Sequence, residues 1–149
     1  MYEKIMVCVD GSEFSYKLFE QAIVVAGRYD SDVYLVRIID MRAIPYLKSY
    51  AAMTYDQMNE DAYKRCEEVV AAYKAKSDTP ERYDRVHIVV QSGSPRKLIT
   101  HKIAKDIQPG LIICGARTQK KGAERFVGNV ATHILNTAEC DVLVVYNDA

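Results

Sequence analysis

Small and polar residues near the end of the chain have the types and spacing of an anion-binding site. An apolar run from Leu111 to Cys114 leads into Gly115, and a basic loop then reaches Gly128, Asn129 and Val130 at the start of a predicted helix. Backbone N–H groups at a helix start and the helix dipole favour a bound anion, and small residues let a phosphate approach closely. The pattern therefore predicts a phosphate-binding segment.

The loop between the two glycines is strongly basic. It carries four cations, Arg117, Lys120, Lys121 and Arg125, against one acid, Glu124. Four cations near an anion site suit a triphosphate. The alternative is a solvated loop, because long charged side chains prefer water. Both interpretations stay open at the level of sequence.

Composition restricts the partners of the chain. Twenty basic residues balance twenty acidic residues among 149, so no overall field attracts nucleic acid or an anionic membrane. The four cysteines are widely separated without a C-x-x-C motif, which is typical of reduced thiols in a cytoplasmic protein. No apolar run approaches the roughly 18 residues of a membrane span. We therefore expect a soluble cytoplasmic protein that binds neither membrane nor nucleic acid.

The elements that must position the candidate site alternate between strands and helices. Five apolar runs predict strands, and continuous apolar character is typical of parallel strands buried on both faces; they are Lys4–Val9, Val33–Ile39, Val86–Gln91, Leu111–Cys114 and Val142–Tyr146. Strands alternating with helices predict one α/β domain over residues 1–149, with a doubly wound, open parallel sheet and helices on both faces. Ligands of such sheets bind beyond the carboxyl ends of the strands.

Helix starts are marked by capping residues. Ser12 is a predicted N-cap for a helix to about Arg28, and Thr54 with Gln57 matches a capping box. The order Gly93-Ser94-Pro95 predicts a third helix start. The last helix is predicted from about Gly122 or Arg125 to Ala138.

Together these features resemble the universal stress protein family over nearly the whole chain. The resemblance is carried by Asp10-Gly11-Ser12 after the first strand, Val33–Asp40, Gly93-Ser94-Pro95 and the final strand Cys140–Val145. It implies a Rossmann-like fold, similar to that of the adenine nucleotide alpha hydrolases, with strand order 3-2-1-4-5.

The nucleotide-binding branch of that family carries a glycine motif that this chain matches in spacing but not in every residue. The motif is Gly, two residues, Gly, nine residues, then Gly followed by Ser or Thr. Here Thr118 stands at the second glycine and Asn129 at the hydroxyl residue. At positive φ, a β-branched Thr118 would close the pocket, whereas at negative φ its hydroxyl can bind phosphate. The amide of Asn129 can donate to phosphate as a serine would.

The resemblance implies an adenine-nucleotide pocket, with ATP or a related nucleotide and Mg²⁺ as ligands. Asp10 and Ile38 would hold the base and ribose. The residues expected around the phosphates are Gly115, Thr118, Gly128, Asn129 and Val130, supported by Arg117. Asp10 has an alternative role, because aspartate also ends strands and caps helices.

The function expected from the resemblance is nucleotide-dependent regulation in a stress response rather than catalysis, with at most slow ATP hydrolysis. The nucleotidyl-transferase motif H-x-G-H and the pyrophosphatase motif S-G-G-x-D-S are absent from the sequence. The rival interpretation is a dimeric protein-interaction module whose pocket has lapsed. The last strand is a predicted sheet edge, and apolar edges invite pairing with a second copy. We therefore expect a homodimer through that strand.

Two further residue types are interpreted as structural. Cys8 and Cys114 lie in predicted strands, and buried strand cysteines are usually inert core residues rather than redox sensors. His87, His101 and His133 are scattered over a strand and two helices without a carboxylate at metal-ligand spacing. We expect them to be polar residues and not metal ligands.

Overall fold

Five parallel strands form one sheet at the centre of the molecule. The computed structural model describes residues 1–41, 54–117 and 128–147. The strands are β1 (Lys4–Val9), β2 (Asp32–Asp40), β3 (Val86–Gly93), β4 (Leu111–Arg117) and β5 (Asp141–Asn147). Their order is β3-β2-β1-β4-β5 and every pairing is parallel. The predicted fold class and strand order are confirmed.

Helices cover both faces of this sheet. Helices α1 (Glu13–Tyr29) and α2 (Tyr55–Lys76) contribute to one apolar core. The opposite core receives α5 (Asn129–Thr137) and a helical segment in three parts, α3 (Pro95–Leu98), a π-helical turn (Ile99–Ile103) and α4 (Ala104–Ile107). A 3₁₀ turn (Pro80–Arg85) precedes β3. No helix of the described ranges is long and apolar enough to cross a membrane.

The residues of β1 explain the continuous apolar pattern of the central strands. Ile5, Val7 and Val9 belong to the core beneath α1, while Met6 belongs to the core beneath α5. Successive side chains of a strand point to opposite faces. Because both faces of β1 are covered, the positions from Ile5 to Val9 are all apolar.

The predicted starts of the first two helices are confirmed. The Ser12 hydroxyl accepts a hydrogen bond from the Ser15 amide at 3.2 Å. The Thr54 hydroxyl accepts from the Gln57 amide at 3.2 Å, and the Gln57 side chain accepts from the Thr54 amide at 2.9 Å. These bonds satisfy N–H groups that have no acceptor inside the helix.

Two predicted boundaries in the last third of the chain are wrong. β4 does not end before Gly115 but continues to Arg117, because β5 extends the ladder through Gly115↔Val145 to Arg117↔Asn147. The last helix begins at Asn129 and not at Gly122 or Arg125. Gly128 has extended backbone angles (φ −65°, ψ 165°), which makes it the N-cap and prevents a continuous helix through this position.

Candidate functional site at the carboxyl edge of the sheet

The two central strands separate at their carboxyl ends. The ladder between β1 and β4 runs from Ile5↔Leu111 to Val7↔Ile113. Beyond it, β1 stays paired with β2 as far as Val9↔Arg37, and β4 stays paired with β5. The separation falls where the strand order reverses direction, which is the usual ligand-binding crevice of a doubly wound sheet.

Asp10 lies at this crevice, directly after β1. Its carboxylate oxygen Oδ1 accepts a hydrogen bond from the Ser12 amide at 2.9 Å. The turn passes through Gly11 at φ 90°, a left-handed conformation that favours glycine. Asp10 therefore does form a turn at the start of α1, while its contact with a ligand stays a prediction.

Ile38 approaches the crevice with its backbone rather than its side chain. The side chain is 6% exposed and packs in the core beneath α5. Its carbonyl oxygen accepts a hydrogen bond from Nη1 of Arg37. Any direct contact of Ile38 with a ligand at the sheet edge would therefore use backbone atoms.

Arg37 is a residue of this edge that the sequence analysis missed. Its guanidinium lies beside Gly11, where an added Cβ would be 3.3 Å from Nε. The side chain is half-buried and projects toward α1 and α2, on the opposite face from Ile38. The sequence does contain a signal for this residue, because Arg37 is the one charged residue inside the apolar run Val33–Ile39.

Gly115 occupies the strand and has a packing reason to be glycine. A Cβ at this position would lie 2.8 Å from Cε1 of Phe14 and 3.1 Å from Cδ1 of Leu18. Both residues belong to α1, so the missing side chain of Gly115 faces that helix. Gly115 lies within β4 and not beyond its end, which corrects the predicted end of the strand at Cys114. Its contact with phosphate stays a prediction.

The start of α5 has the properties expected of an anion-binding helix terminus. Gly128 has no side chain to cap the helix, and an added Cβ would meet no atom of the described residues within 4 Å. Asn129 is exposed and Val130 is half-buried. The first N–H groups of a helix have no acceptor inside it and carry the positive end of the dipole. The side chain of Arg117 and all of Thr118 fall outside the described part of the chain.

The cysteines near the crevice are unreactive thiols. Burial raises the pKa of the Cys8 thiol, and the neighbouring Cys114 raises it further. Burial raises the pKa of Cys114 to about 11. Both thiols are therefore protonated near neutral pH, and a thiol must lose its proton to act as a nucleophile. This agrees with core residues rather than a redox pair.

The three histidines are not all scattered. His101 and His133 lie against each other with ring centroids 5.4 Å apart, which corrects the expectation from their sequence positions. His87 instead stacks on Tyr34 at 4.7 Å. Within residues 1–41, 54–117 and 128–147, no three His, Cys, Asp or Glu side chains form a metal-binding group.

Comparisons with known proteins agree with this fold. A model of the universal stress protein family matches residues 1–146. A putative universal stress protein of Staphylococcus haemolyticus is 34% identical over 145 residues, which cover 97% of this chain and 84% of the relative. The solved structure of the hypothetical protein MJ0577 superposes with a TM-score of 0.75 at 23% identity, covering 100% of this chain and 99% of its own.

A third similar structure is that of a universal stress protein in complex with cAMP. Its TM-score is 0.63 at 18% identity, with 97% of each chain covered. The strand order and these superpositions define a Rossmann-like α/β protein of the doubly wound class. On the match over residues 1–146, the chain belongs to the universal stress protein family.

Proposed function

We propose that this protein binds ATP or a related adenine nucleotide at the carboxyl edge of the sheet and acts as a cytoplasmic stress-response regulator rather than an enzyme. The observation that carries the proposal is the separation of β1 from β4 beyond Val7↔Ile113. Family membership supports it, as does the similar universal stress protein in complex with cAMP.

The described residues could contact such a ligand at both of its ends, the adenosine and the phosphates. Asp10 and the backbone of Ile38 would contact the adenosine end, beyond β1 and β2. The N–H groups of Asn129 and Val130 would hold phosphates at the open start of α5, where Gly128 leaves room. The backbone of Gly115 and Arg117 would lie between these ends, next to Thr118. Mg²⁺ would accompany a triphosphate and neutralise part of its charge.

Thermal unfolding of ligand-stripped protein tests this proposal. A ligand at about 100 times its Kd stabilises the native state by about 2.7 kcal/mol. For a chain of this length, Tm should rise by roughly 5–10 °C. We expect this rise with MgATP. Comparing it with the Tm shift in cAMP shows how much of the affinity depends on the triphosphate. MgGTP should give no comparable rise. The absence of a shift with both adenine nucleotides at millimolar concentration would contradict the proposal.

Two variants at Gly128 test whether the phosphates bind at the start of α5, because they differ only in charge. Gly128→Asp and Gly128→Asn introduce side chains of nearly equal size, and both are favourable N-caps, so the fold should survive in each. Only Asp adds a negative charge, which opposes a phosphate at the helix start. We expect Gly128→Asp to lose the MgATP shift and Gly128→Asn to keep more of it. A wild-type shift in Gly128→Asp would remove the start of α5 from the site.

We also propose that the protein is a homodimer through β5. This strand lies at the edge of the sheet, and Leu143 on it is 39% exposed. Leu135 on the adjacent α5 is 49% exposed. An apolar edge strand favours pairing with another strand, and homodimers with twofold symmetry are common.

The competing function is a dimeric interaction module that binds no nucleotide. The packing of Gly115 against Phe14 favours it to a degree, because this glycine would be required without any ligand. The nucleotide titration separates the two functions, since the interaction module would dimerise without a shift in Tm.

A further inference from the structure

The contact between His101 and His133 brings together two imidazoles that are distant in sequence. His101 lies in the π-helical turn Ile99–Ile103 and His133 lies in α5. Their ring centroids are 5.4 Å apart and their planes are inclined by 58°. π-Helical turns inside helices are frequent at functional sites. The turn thus deserves a functional explanation beyond its packing.

One of these rings has an unsatisfied nitrogen. Nε2 of His133 is buried without a hydrogen-bond partner, and it is the one such side-chain atom within the described ranges. A buried polar atom without a partner costs about 1–3 kcal/mol, and a native protein normally compensates it with water, an ion or a function.

Two hydroxyl groups of the same helix contact have other partners. The Thr137 hydroxyl donates to the His133 carbonyl at 2.6 Å. The same hydroxyl lies 2.8 Å from the Thr100 hydroxyl across the helix contact. Both threonines are therefore engaged with each other and with backbone, and the imidazole nitrogen needs a different partner.

The separation of the rings fits a shared metal ion. With a Zn²⁺–N bond of about 2.0–2.1 Å, each ring centre would lie about 3.2 Å from the metal. Two rings at a tetrahedral angle around one ion would then have centroids about 5.2 Å apart. The observed value of 5.4 Å is close to this distance, and it also lies within the roughly 4.5–7 Å of ordinary aromatic contacts. The unsatisfied Nε2 of His133 is therefore the observation that points to an ion.

We propose that His101 and His133 bind one divalent transition-metal ion of the zinc class between the π-helical turn and α5, with water completing its coordination. Neutral imidazole is a preferred ligand of Zn²⁺, Ni²⁺ and Cu²⁺. The ion supplies the partner that Nε2 of His133 lacks, and it joins the π-helical turn to the helix whose start is the candidate phosphate site. This site does not depend on nucleotide binding.

The cysteines compete weakly for such an ion. Metal binding requires the thiolate form. Burial raises the pKa of Cys8, Cys66, Cys114 and Cys140. Near neutral pH, binding by the histidine pair is therefore favoured over binding by a thiol.

Calorimetric titration of the EDTA-treated and desalted full chain with Zn²⁺ tests the site. The key variant is His101→Ala, because His101 is exposed and its removal should leave the fold intact. The matched control is His87→Ala, which removes the third histidine, an exposed residue of β3. We expect one ion per chain for the wild type and for His87→Ala. In His101→Ala the affinity should fall by roughly tenfold or more, because one of two protein ligands is lost.

A second measurement identifies the ligands directly. Electron paramagnetic resonance of bound Cu²⁺ should show hyperfine coupling to two imidazole nitrogens in the wild type and to one in His101→Ala. Unchanged Zn²⁺ affinity in His101→Ala would overturn the proposal. Equal losses in His101→Ala and His87→Ala, or no binding at millimolar Zn²⁺, would do the same and leave the pair as an aromatic contact only.

Discussion

Gly115 and Gly128 belong to one sequence motif, but the structure gives a different physical reason for a glycine at each position. Gly115 lies in β4 with φ outside the left-handed region, and its missing Cβ leaves room for Phe14 and Leu18. Gly128 lies at a helix start, where an added Cβ would contact none of the residues in the described ranges. A glycine can therefore be required by a neighbouring helix in one place and leave space for a ligand in another.

We predict that Gly115→Ala destabilises the protein by about 1–3 kcal/mol, the usual cost of overpacking a core. The new methyl group would lie 2.8 Å from Cε1 of Phe14. The measurement is urea unfolding, in which the midpoint should fall. Gly128→Ala is the control and should cost less, since its methyl group meets no atom within 4 Å. Phe14→Leu should recover part of the loss in Gly115→Ala, and equal costs at the two glycines would contradict the packing explanation.

Individual site residues were predictable only where the sequence shows their neighbours. Asp10 could be placed because it directly follows an apolar strand. Gly128 could not, because the predicted helix start at Gly122 or Arg125 puts it inside the helix, whereas it is the N-cap. The contact between His101 and His133 could not, because it depends on how the π-helical turn packs on α5. The sequence places Gly115 beyond the end of the strand, because the pairing with β5 that extends β4 is a long-range property.

Arg82 illustrates how an element is held by a residue far away in sequence. This arginine belongs to the 3₁₀ turn before β3, and its guanidinium donates to the carbonyls of Ala26 at 3.1 Å and Gly27 at 3.2 Å. It also approaches Asp30, which ends α1 in a left-handed conformation. The Ala26 carbonyl also accepts from the Ser31 amide at 3.1 Å, so Arg82 adds a charged donor to it. A cation at the end of a helix also complements the dipole.

We predict that Arg82→Met destabilises the protein by about 1–3 kcal/mol, because the Ala26 and Gly27 carbonyls lose charged donors. Arg82→Lys should fall between the wild type and Arg82→Met, since lysine keeps the charge but not the planar fork. The midpoint of urea unfolding measures both. Arg65→Met is the control, because Arg65 and Glu68 are 61% and 69% exposed and such pairs contribute little. If Arg82→Met lowered the free energy of unfolding no more than Arg65→Met does, the stabilising role of Arg82 at the end of α1 would be refuted.

The capping box at Thr54 and the contact of Arg82 with the end of α1 differ in whether a sequence can predict them. Thr54 and Gln57 are three residues apart, so their reciprocal hydrogen bonds could be predicted from spacing alone. Arg82 lies 56 residues after Ala26, and no local pattern connects the two. The predicted start of the last helix is wrong for a related reason. The sequence before Gly128 does not indicate that the backbone of Gly128 is extended.

At the scale of the molecule, the sheet has two edges that are covered differently. β3 is flanked by the 22-residue helix α2, whereas β5 is flanked by α5, which has nine residues. Val142 and Val144 pack in the core beneath α5, whereas Val145 packs in the core beneath α1. Leu143 therefore lies on the face away from α5, where it is 39% exposed. The alternation of strands and helices was sufficient to predict the fold, but the helix coverage of each face at the edge strands decides which edge is left for a partner.

We predict that Leu143→Glu converts a dimer into a monomer. In a twofold interface through β5, the two glutamates would lie near each other and bury charge without a partner, which opposes association. Sedimentation equilibrium should give twice the 16.9 kDa chain mass for the wild type and the chain mass for the variant. Val24→Glu is the matched control, because Val24 is 56% exposed on α1 and should leave the dimer intact. A dimer that persists in Leu143→Glu, or dissociates equally in both variants, would exclude β5 as the interface, whereas selective dissociation would establish that the edge strand joins the two copies.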